Sequence, residues 1–154
     1  MRAVTVERVG VDVEGGGAVL ILKDTESDRV LPLLIGMGEA AAIAVKLQEQ
    51  EPPRPLTVDL LRTVLDTFGA KLLMVVLNDL RDHTYYAKIF LRANSKGAST
   101  MELDARPSDA IALALRFDAP VYVAEWIMED AGVIPVEVEE DSEEDDDDEG
   151  EPMH

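Results

Sequence analysis

The chain has 154 residues, of which 47% are hydrophobic but only 5% are aromatic, and its formal net charge is −18. This length and composition are typical of one domain whose core is built from Val, Leu, Ile and Ala. The chain has no cysteine, which excludes disulfides, thiolate zinc sites and a cysteine nucleophile. Its first residues lack a signal-peptide pattern and no apolar run approaches the length of a membrane helix, so we expect a soluble, cytoplasmic protein without membrane contacts.

The negative charge is concentrated at the C-terminus. Residues 136–154 hold 12 of the 32 acidic residues and no Lys or Arg, so the rest has 20 acids against 14 bases, a net charge of −6. A segment so poor in apolar side chains cannot offset the entropy lost on ordering. We therefore predict a folded domain over residues 1–132 and an acidic, disordered tail over residues 133–154. The tail either aids solubility or acts as a decoy for a basic partner or a loose cation trap.

The first half of the chain is predicted to form a β-meander followed by two helices. The strands are Ala3–Val13, Ala18–Lys23 and Arg29–Ile35, separated by turn signals. An alanine-rich helix follows over Glu39–Gln50, and the prolines of the sequence EPPRP end it. A second helix is predicted over Leu56–Gly69, with Thr57 as its N-cap, Gly69 as its stop and one apolar stripe from Leu60 to Phe68.

The second half alternates strands with two more helices. The predicted elements are strands at Lys71–Leu80, Thr84–Arg92, Ser99–Leu103 and Pro120–Ala124, a helix introduced by DARPSD (Asp104–Asp109), and a helix around Glu125–Ala131. His83 lies in the turn between two of these strands, where we expect a solvated side chain. The order βββ-αα-βββ-α-β-α predicts an α+β fold, with a mixed, mainly antiparallel sheet and helices packed against it.

Two helix entries share a motif in which Arg-Pro precedes a hydroxyl residue and an Asp. Arg54 begins the first (RPLTVD) and Arg106 the second (RPSD), while Glu39 opens the earlier helix. The proline, the hydroxyl and the first-turn acid are explained as helix caps that complement the helix dipole. This explanation does not extend to the arginines, because a positive charge at a helix N-terminus is unfavourable without an anionic partner. That partner is either an internal carboxylate or a phosphate.

The residue sets of common enzyme classes are absent from this sequence. It has no P-loop, no GxGxxG, no HExxH and no convincing Ser-His-Asp set, so any chemistry would rest on carboxylates. Carboxylate oxygens suit Mg²⁺ or Mn²⁺, which can polarise a phosphodiester and generate hydroxide, while an adjacent Arg can hold the phosphate. Because the body of the chain is mildly acidic, nucleic-acid binding would need a local patch of arginines.

Three stretches together resemble the bifunctional nuclease domain family. They are LPLLIGMGEAAAIA (Leu31–Ala44), RPLTVDLL (Arg54–Leu61) and DARPSDAIALALR (Asp104–Arg116). The resemblance covers roughly residues 1–132 and implies an α+β fold, a homo-oligomer with a dimer as the first guess, and a nuclease that acts on DNA and RNA. One position departs from the pattern, since Val58 stands where the family often has His in a PLTHD motif.

Two hypotheses follow for the function. The first is a metal-dependent nuclease of low sequence specificity that uses Mg²⁺ or Mn²⁺. Its candidate catalytic residues are Asp59, Asp104, Asp109 and Ser108, its candidate phosphate-binding residues are Arg54, Arg106 and Arg116, and its candidate metal ligands are Glu39, Asp59 and Asp109. The second is a non-catalytic, oligomeric binding or regulatory module in which the Arg-Pro-Ser/Thr-Asp motifs are structural caps and ion pairs.

Overall fold

The computed structural model describes residues 1–12, 14–93, 97 and 99–135, and these form a single mixed sheet with helices packed against it. The strands are β1 (Arg2–Asp12), β2 (Gly17–Asp24), β3 (Val30–Ile35), β4 (Ala70–Arg81), β5 (Thr84–Ala93), β6 (Thr100–Ala105) and β7 (Val121–Val123). The helices are α1 (Met37–Leu47), α2 (Thr57–Thr67), α3 (Pro107–Phe117) and α4 (Glu125–Ala131). The predicted element order and the α+β class are confirmed.

The sheet has seven strands in the order β3-β2-β1-β7-β4-β5-β6. Neighbouring strands pair antiparallel except β4 and β7, which pair in parallel with Val75 opposite Val121. The short strand β7 follows α3 and inserts between β1 and β4, so it joins the N-terminal meander to the β4–β6 meander. This insertion makes one continuous sheet from two local hairpin units.

Alternate residues of the strands define the face that carries the core. In β2, Leu20 and Leu22 are fully buried while the alternate residues Val19 and Ile21 are half-buried, as expected when one sheet face packs against helices. The buried positions of β4 and β5 join the same cluster, together with Ile43 of α1 and several residues of α3 and α4. Aliphatic side chains therefore fill the core, as the low aromatic content predicts.

Two predicted helix caps are wrong. Helix α2 has Leu56 at its N-cap and Thr57 as its first helical residue, and α3 has Arg106 at its N-cap. Thr57 and Ser108 are therefore not the N-cap residues of their helices, and the residues that are make no side-chain capping hydrogen bond. Both hydroxyl residues lie one or two positions inside the helix, where they no longer have the extended backbone of a cap. The predicted stop at Gly69 is confirmed, with φ of 72° directly after the C-cap of α2.

Helix α2 presents its apolar stripe to solvent. It buries none of its residues, and Leu60 and Phe68 are 59% and 82% exposed. Val58 and Leu65 are partly buried against the core, and the Arg62 guanidinium adds contacts with α3, since it donates to the Arg116 carbonyl and lies 5.1 Å from the centre of the Phe117 ring. The amphipathic pattern of α2 therefore forms an exposed surface.

The region before α3 differs from the prediction. Strand β6 continues to Ala105, so Asp104 belongs to an edge strand opposite Lys88 of β5, and the helix begins only at Pro107.

A hairpin with a two-residue turn joins β4 to β5, and both turn residues have positive φ, 49° for Asp82 and 63° for His83. This backbone is that of a type I′ turn, which matches the twist of paired strands.

None of the helices in the described ranges is long and apolar enough to cross a membrane. Val133 pairs with Val30 through two backbone hydrogen bonds of 2.8 Å, so the described chain stays attached to β3 after α4. Most of the predicted acidic tail, residues 136–154, lies outside the described residues.

Candidate functional site

A cleft of about 580 Å³ opens where β3, the β4–β5 turn and the first turn of α3 meet. Residues 32–35 of β3 form an apolar part of its wall, and His83, Thr84 and Tyr85 also line it. Gly36, the N-cap of α1, and Arg106, the N-cap of α3, also line the cleft. Two helices therefore begin at this cleft, and neither has a side-chain hydrogen bond at its N-cap. Helix N-termini carry partial positive charge and favour anions.

Arg106 joins the first turns of these two helices. Its Nε donates to Oδ2 of Asp109 at 2.9 Å, and its Nη2 donates to Oε1 of Glu39 at 3.0 Å. The hydrogen bond to Asp109, then the one to Glu39, raises the pKa of Arg106. Glu39 accepts a bond from its own backbone N–H as well as from Arg106, and both lower its pKa. Because a guanidinium has five N–H groups, these two bonds leave Arg106 with donors for a further anion.

Asp59 and Arg116 form a second, separate ion pair. Arg116 is only 3% exposed in its side chain, and its Nε donates to Oδ1 of Asp59 at 2.7 Å. Its other nitrogens donate to the carbonyls of Ala112 and Ala42 at 2.9 and 2.8 Å, so one guanidinium ties α1, α2 and α3 together. Oδ2 of Asp59 accepts from the Leu56 N–H at 2.9 Å. Burial alone would raise the pKa of Asp59, but the bonds from Arg116 and Leu56 outweigh it and lower the pKa.

The structure thus divides the predicted site residues into groups. Glu39, Arg106, Ser108 and Asp109 lie at or beside the cleft, and Ser108 is buried in its lining. Asp59 and Arg116 lie apart from the cleft and line a cavity of about 350 Å³ near the loop before α2. Arg54 and Asp104 are exposed and line neither cavity. The two Arg-Pro motifs therefore have different surroundings despite their similar sequences.

A divalent ion held by three protein carboxylates does not fit this arrangement. Within residues 1–12, 14–93, 97 and 99–135, no group of three His, Cys, Asp or Glu side chains is placed to hold a metal ion. Asp59 is bonded to Arg116 and Leu56, whereas Glu39 and Asp109 share the guanidinium of Arg106. The candidate metal ligands are thus engaged by cations or backbone donors, which compete with a metal for their oxygens.

His83 is the functional candidate that the sequence reasoning missed. Its side chain is exposed, as its position in a hairpin turn predicts, and it also lines the same cleft as Arg106 and Ser108. One weak indication of a role for His83 was present in the sequence. Asp82 and His83 form a two-residue turn with positive φ at both positions, where Asn-Gly or Gly-Gly is usually found. Val58, in contrast, packs against the core and does not line the cleft, so the His of the PLTHD pattern would lie elsewhere.

Comparison with known proteins agrees with these motifs. The family model described as "Bifunctional nuclease domain" matches residues 20–135, from β2 to just past α4, and so includes the whole lining of the cleft. The chain belongs to the bifunctional nuclease domain family. An uncharacterised protein of Mycobacterium tuberculosis strain H37Rv is 41% identical over 143 residues, which cover 92% of this chain and 84% of that protein.

More distant similarity connects this bifunctional nuclease domain to plant proteins. Bifunctional nuclease 1 of Oryza sativa subsp. japonica is 24% identical over 116 residues, which cover 75% of this chain and 35% of the plant protein. Bifunctional nuclease 1 of Arabidopsis thaliana is 21% identical over 120 residues, which cover 78% of this chain and 37% of that protein. The chain therefore aligns with little more than a third of each plant nuclease.

Proposed function

We propose that this domain hydrolyses phosphodiester bonds of DNA and RNA with low sequence specificity, and that it binds the phosphate in the cleft between α1 and α3. The observation that carries the proposal is Arg106, an exposed guanidinium where two helices begin, in a chain of the bifunctional nuclease domain family. Arginine is the side chain best suited to bind phosphate through two parallel hydrogen bonds.

The charge of the cleft supports binding of a phosphodiester. The chain as a whole is strongly acidic and repels a polyanion at long range, so binding must rest on local donors. Arg106 and the N-terminus of α3 provide such donors. The carboxylates of Glu39 and Asp109 accept hydrogen bonds from two of the nitrogens of Arg106. A phosphate oxygen that replaces either carboxylate on Arg106 would bind in the same position, so the paired carboxylates act as competitors.

Low sequence specificity follows from the kind of contact proposed. Contacts to phosphate oxygens position a nucleic acid but carry no sequence information. The cleft is lined mainly by aliphatic side chains and short hydroxyl residues, with no Asn or Gln in its described lining to recognise base edges. The domain would therefore bind the backbone of either DNA or RNA.

A cleavage assay tests the proposal. We would incubate the full chain with plasmid DNA and with a structured RNA, in separate reactions that contain Mg²⁺, Mn²⁺ or EDTA. The EDTA arm tests the metal dependence that was predicted from the carboxylates of the sequence. Arg106→Met should reduce cleavage and oligonucleotide affinity, whereas Arg8→Met removes an exposed arginine of β1 that does not line the cleft and should change neither. Equal losses in both variants would contradict the assignment of the phosphate to this cleft.

A non-catalytic binding module is the second candidate function. It is favoured by the internal pairing of the charged residues, since Arg106 and Arg116 both already have carboxylate partners. The same experiment separates the two candidates. Binding of oligonucleotide that depends on Arg106, without cleavage under any metal condition, would support the binding module and overturn the nuclease.

We also propose that the chain forms a homodimer through α2. The exposed stripe on this helix includes Leu60, Leu61, Val64 and Phe68, which are between 43% and 82% exposed. A two-fold interface places the same patch of both subunits in contact, so a single apolar helix face can pair with itself. Such patches on soluble domains generally mark interaction surfaces.

A further inference from the structure

Few side chains of the cleft can exchange a proton near neutral pH. Its described lining contains no Asp, Glu, Lys or Cys, so the titratable side chains are those of His83, Tyr85 and Arg106. A guanidinium stays protonated, and burial raises the pKa of the Tyr85 phenol still further from neutrality. Imidazole, in contrast, is the side chain that changes charge between pH 5 and 8.

The carboxylates beside the cleft are poorly suited to this task. Glu39 accepts hydrogen bonds from its own backbone N–H and from Arg106, and these two bonds lower the pKa of Glu39, while Asp109 is held by Nε of Arg106 at 2.9 Å. A carboxylate with a lowered pKa is a weak base, whereas an efficient proton acceptor has a pKa near the operating pH. Asp59 is bonded to Arg116 and lies in a different cavity.

The backbone at His83 is unusual and fixed by pairing on both sides. Arg81 of β4 and Thr84 of β5 are directly opposite each other, so only Asp82 and His83 form the turn. Both have the positive φ that a type I′ hairpin turn requires, so the strands on either side set the conformation of the turn. The Cα atom of a residue on so short a turn has a fixed position relative to the sheet. A fixed position suits a side chain that must contact a bound substrate.

We propose that His83 is the proton-transfer group of the cleft, acting on a phosphodiester held by Arg106. This inference rests on the proposed nuclease function. The neutral imidazole takes a proton from a water molecule as the water oxygen forms a bond to phosphorus. The phosphorus–oxygen bond to the leaving sugar breaks with its electron pair on that oxygen, and the imidazolium returns the proton to it. The products are a phosphomonoester and an alcohol, and His83 is restored to its neutral form.

The charges that act on His83 come from several elements. Arg106 faces the cleft from α3 and Tyr85 from β5, while Asp82 is the other turn residue and Arg81 is the last residue of β4. Arg81 is bonded to Asp79, which offsets its charge. The substrate phosphate would add a negative charge once bound. Because the neutral imidazole is the base in this step, the cleavage rate should rise with pH.

The test compares wild type with His83→Asn in the full chain. Asn tolerates positive φ, so this variant keeps the turn and removes the imidazole. General acid–base catalysis contributes about 10² to 10⁴-fold, so we expect a loss of that order in the cleavage rate. Oligonucleotide affinity should remain within about threefold of wild type, and the rise of the rate between pH 5 and 8 should disappear. His83→Gly, which adopts the same φ without strain, should behave alike and guards against a folding defect specific to Asn.

The outcomes distinguish this inference from the function on which it rests. Cleavage by wild type together with an unchanged rate or an unchanged pH profile in both variants overturns the role of His83 alone. Absence of cleavage by wild type in every metal condition overturns the proposed nuclease and the inference with it. A large loss of rate with retained affinity and a flattened pH profile supports both. A structural role of the turn would instead lower the affinity and the melting temperature without removing the dependence on pH.

Discussion

Removal of the buried guanidinium in Arg116→Met should strongly destabilise the fold. The substitution leaves Asp59 without its cationic partner, and the carbonyls of Ala42 and Ala112 lose a donor. Removal of one partner of a buried ion pair typically costs about 3–5 kcal/mol. Asp59 is 31% exposed and can regain some hydration, so we expect the lower end, about 3 kcal/mol. For a domain of this size, that corresponds to a fall of about 6–12 °C in melting temperature.

The assay is urea denaturation combined with thermal melting, and Arg106→Met is the matched control. Arg106 stands at the opposite end of the same helix and has two carboxylate partners, but its side chain is 67% exposed. Exposed ion pairs contribute little, so its melting temperature should stay within about 2 °C of wild type. The double variant Asp59→Leu/Arg116→Met should recover part of the loss, because it leaves no unpaired carboxylate. An Arg116→Met variant as stable as Arg106→Met would refute the view that Arg116 holds the three helices together.

Other consequences of the structure can be measured with single substitutions. Asp59 has a lowered pKa in the folded chain, so it contributes stability above about pH 3.9 that is lost as pH falls through its folded pKa. Asp59→Asn should therefore make the free energy of unfolding fall less steeply with decreasing pH on the acid limb, the low-pH part of the plot. An acid limb as steep as in wild type would contradict this. Asp24 is buried and accepts hydrogen bonds from two side chains and a backbone N–H. Asp24→Asn should therefore lower the free energy of unfolding, measured by urea denaturation, by about 1–3 kcal/mol. An unchanged free energy of unfolding would show that these bonds are not retained in solution. Phe68→Glu should convert a dimer to a monomer in light scattering, whereas Val11→Glu, at a similarly exposed site on β1, should not; a monomeric wild type would rule out the α2 interface.

The sequence by itself determined the features that depend on neighbouring residues. Apolar, β-branched runs bounded by turn signals located the strands, and Gly69 ended α2 as predicted. The first-turn acids Glu39, Asp59 and Asp109 are all present where the helix entries placed them. The family motifs were also local patterns, and the family match over residues 20–135 confirms them. The N-cap predictions failed because Thr57 and Ser108 lie one and two residues inside their helices, and a shift of that size lies within the uncertainty of any local pattern.

Only the tertiary structure decided which charged groups meet. Arg106 is 67 positions from Glu39, and Arg116 is 57 positions from Asp59, so no local spacing could select these partners. Packing of α1 and α2 against α3 selected them, and it assigned two similar arginines to opposite roles, one exposed at a cleft and one buried between helices. The cleft beside His83 likewise exists because the sheet brings the β4–β5 turn close to the starts of α1 and α3. Periodicity in a sequence specifies which face of an element is apolar, whereas the contacts of its polar residues depend on how distant elements pack.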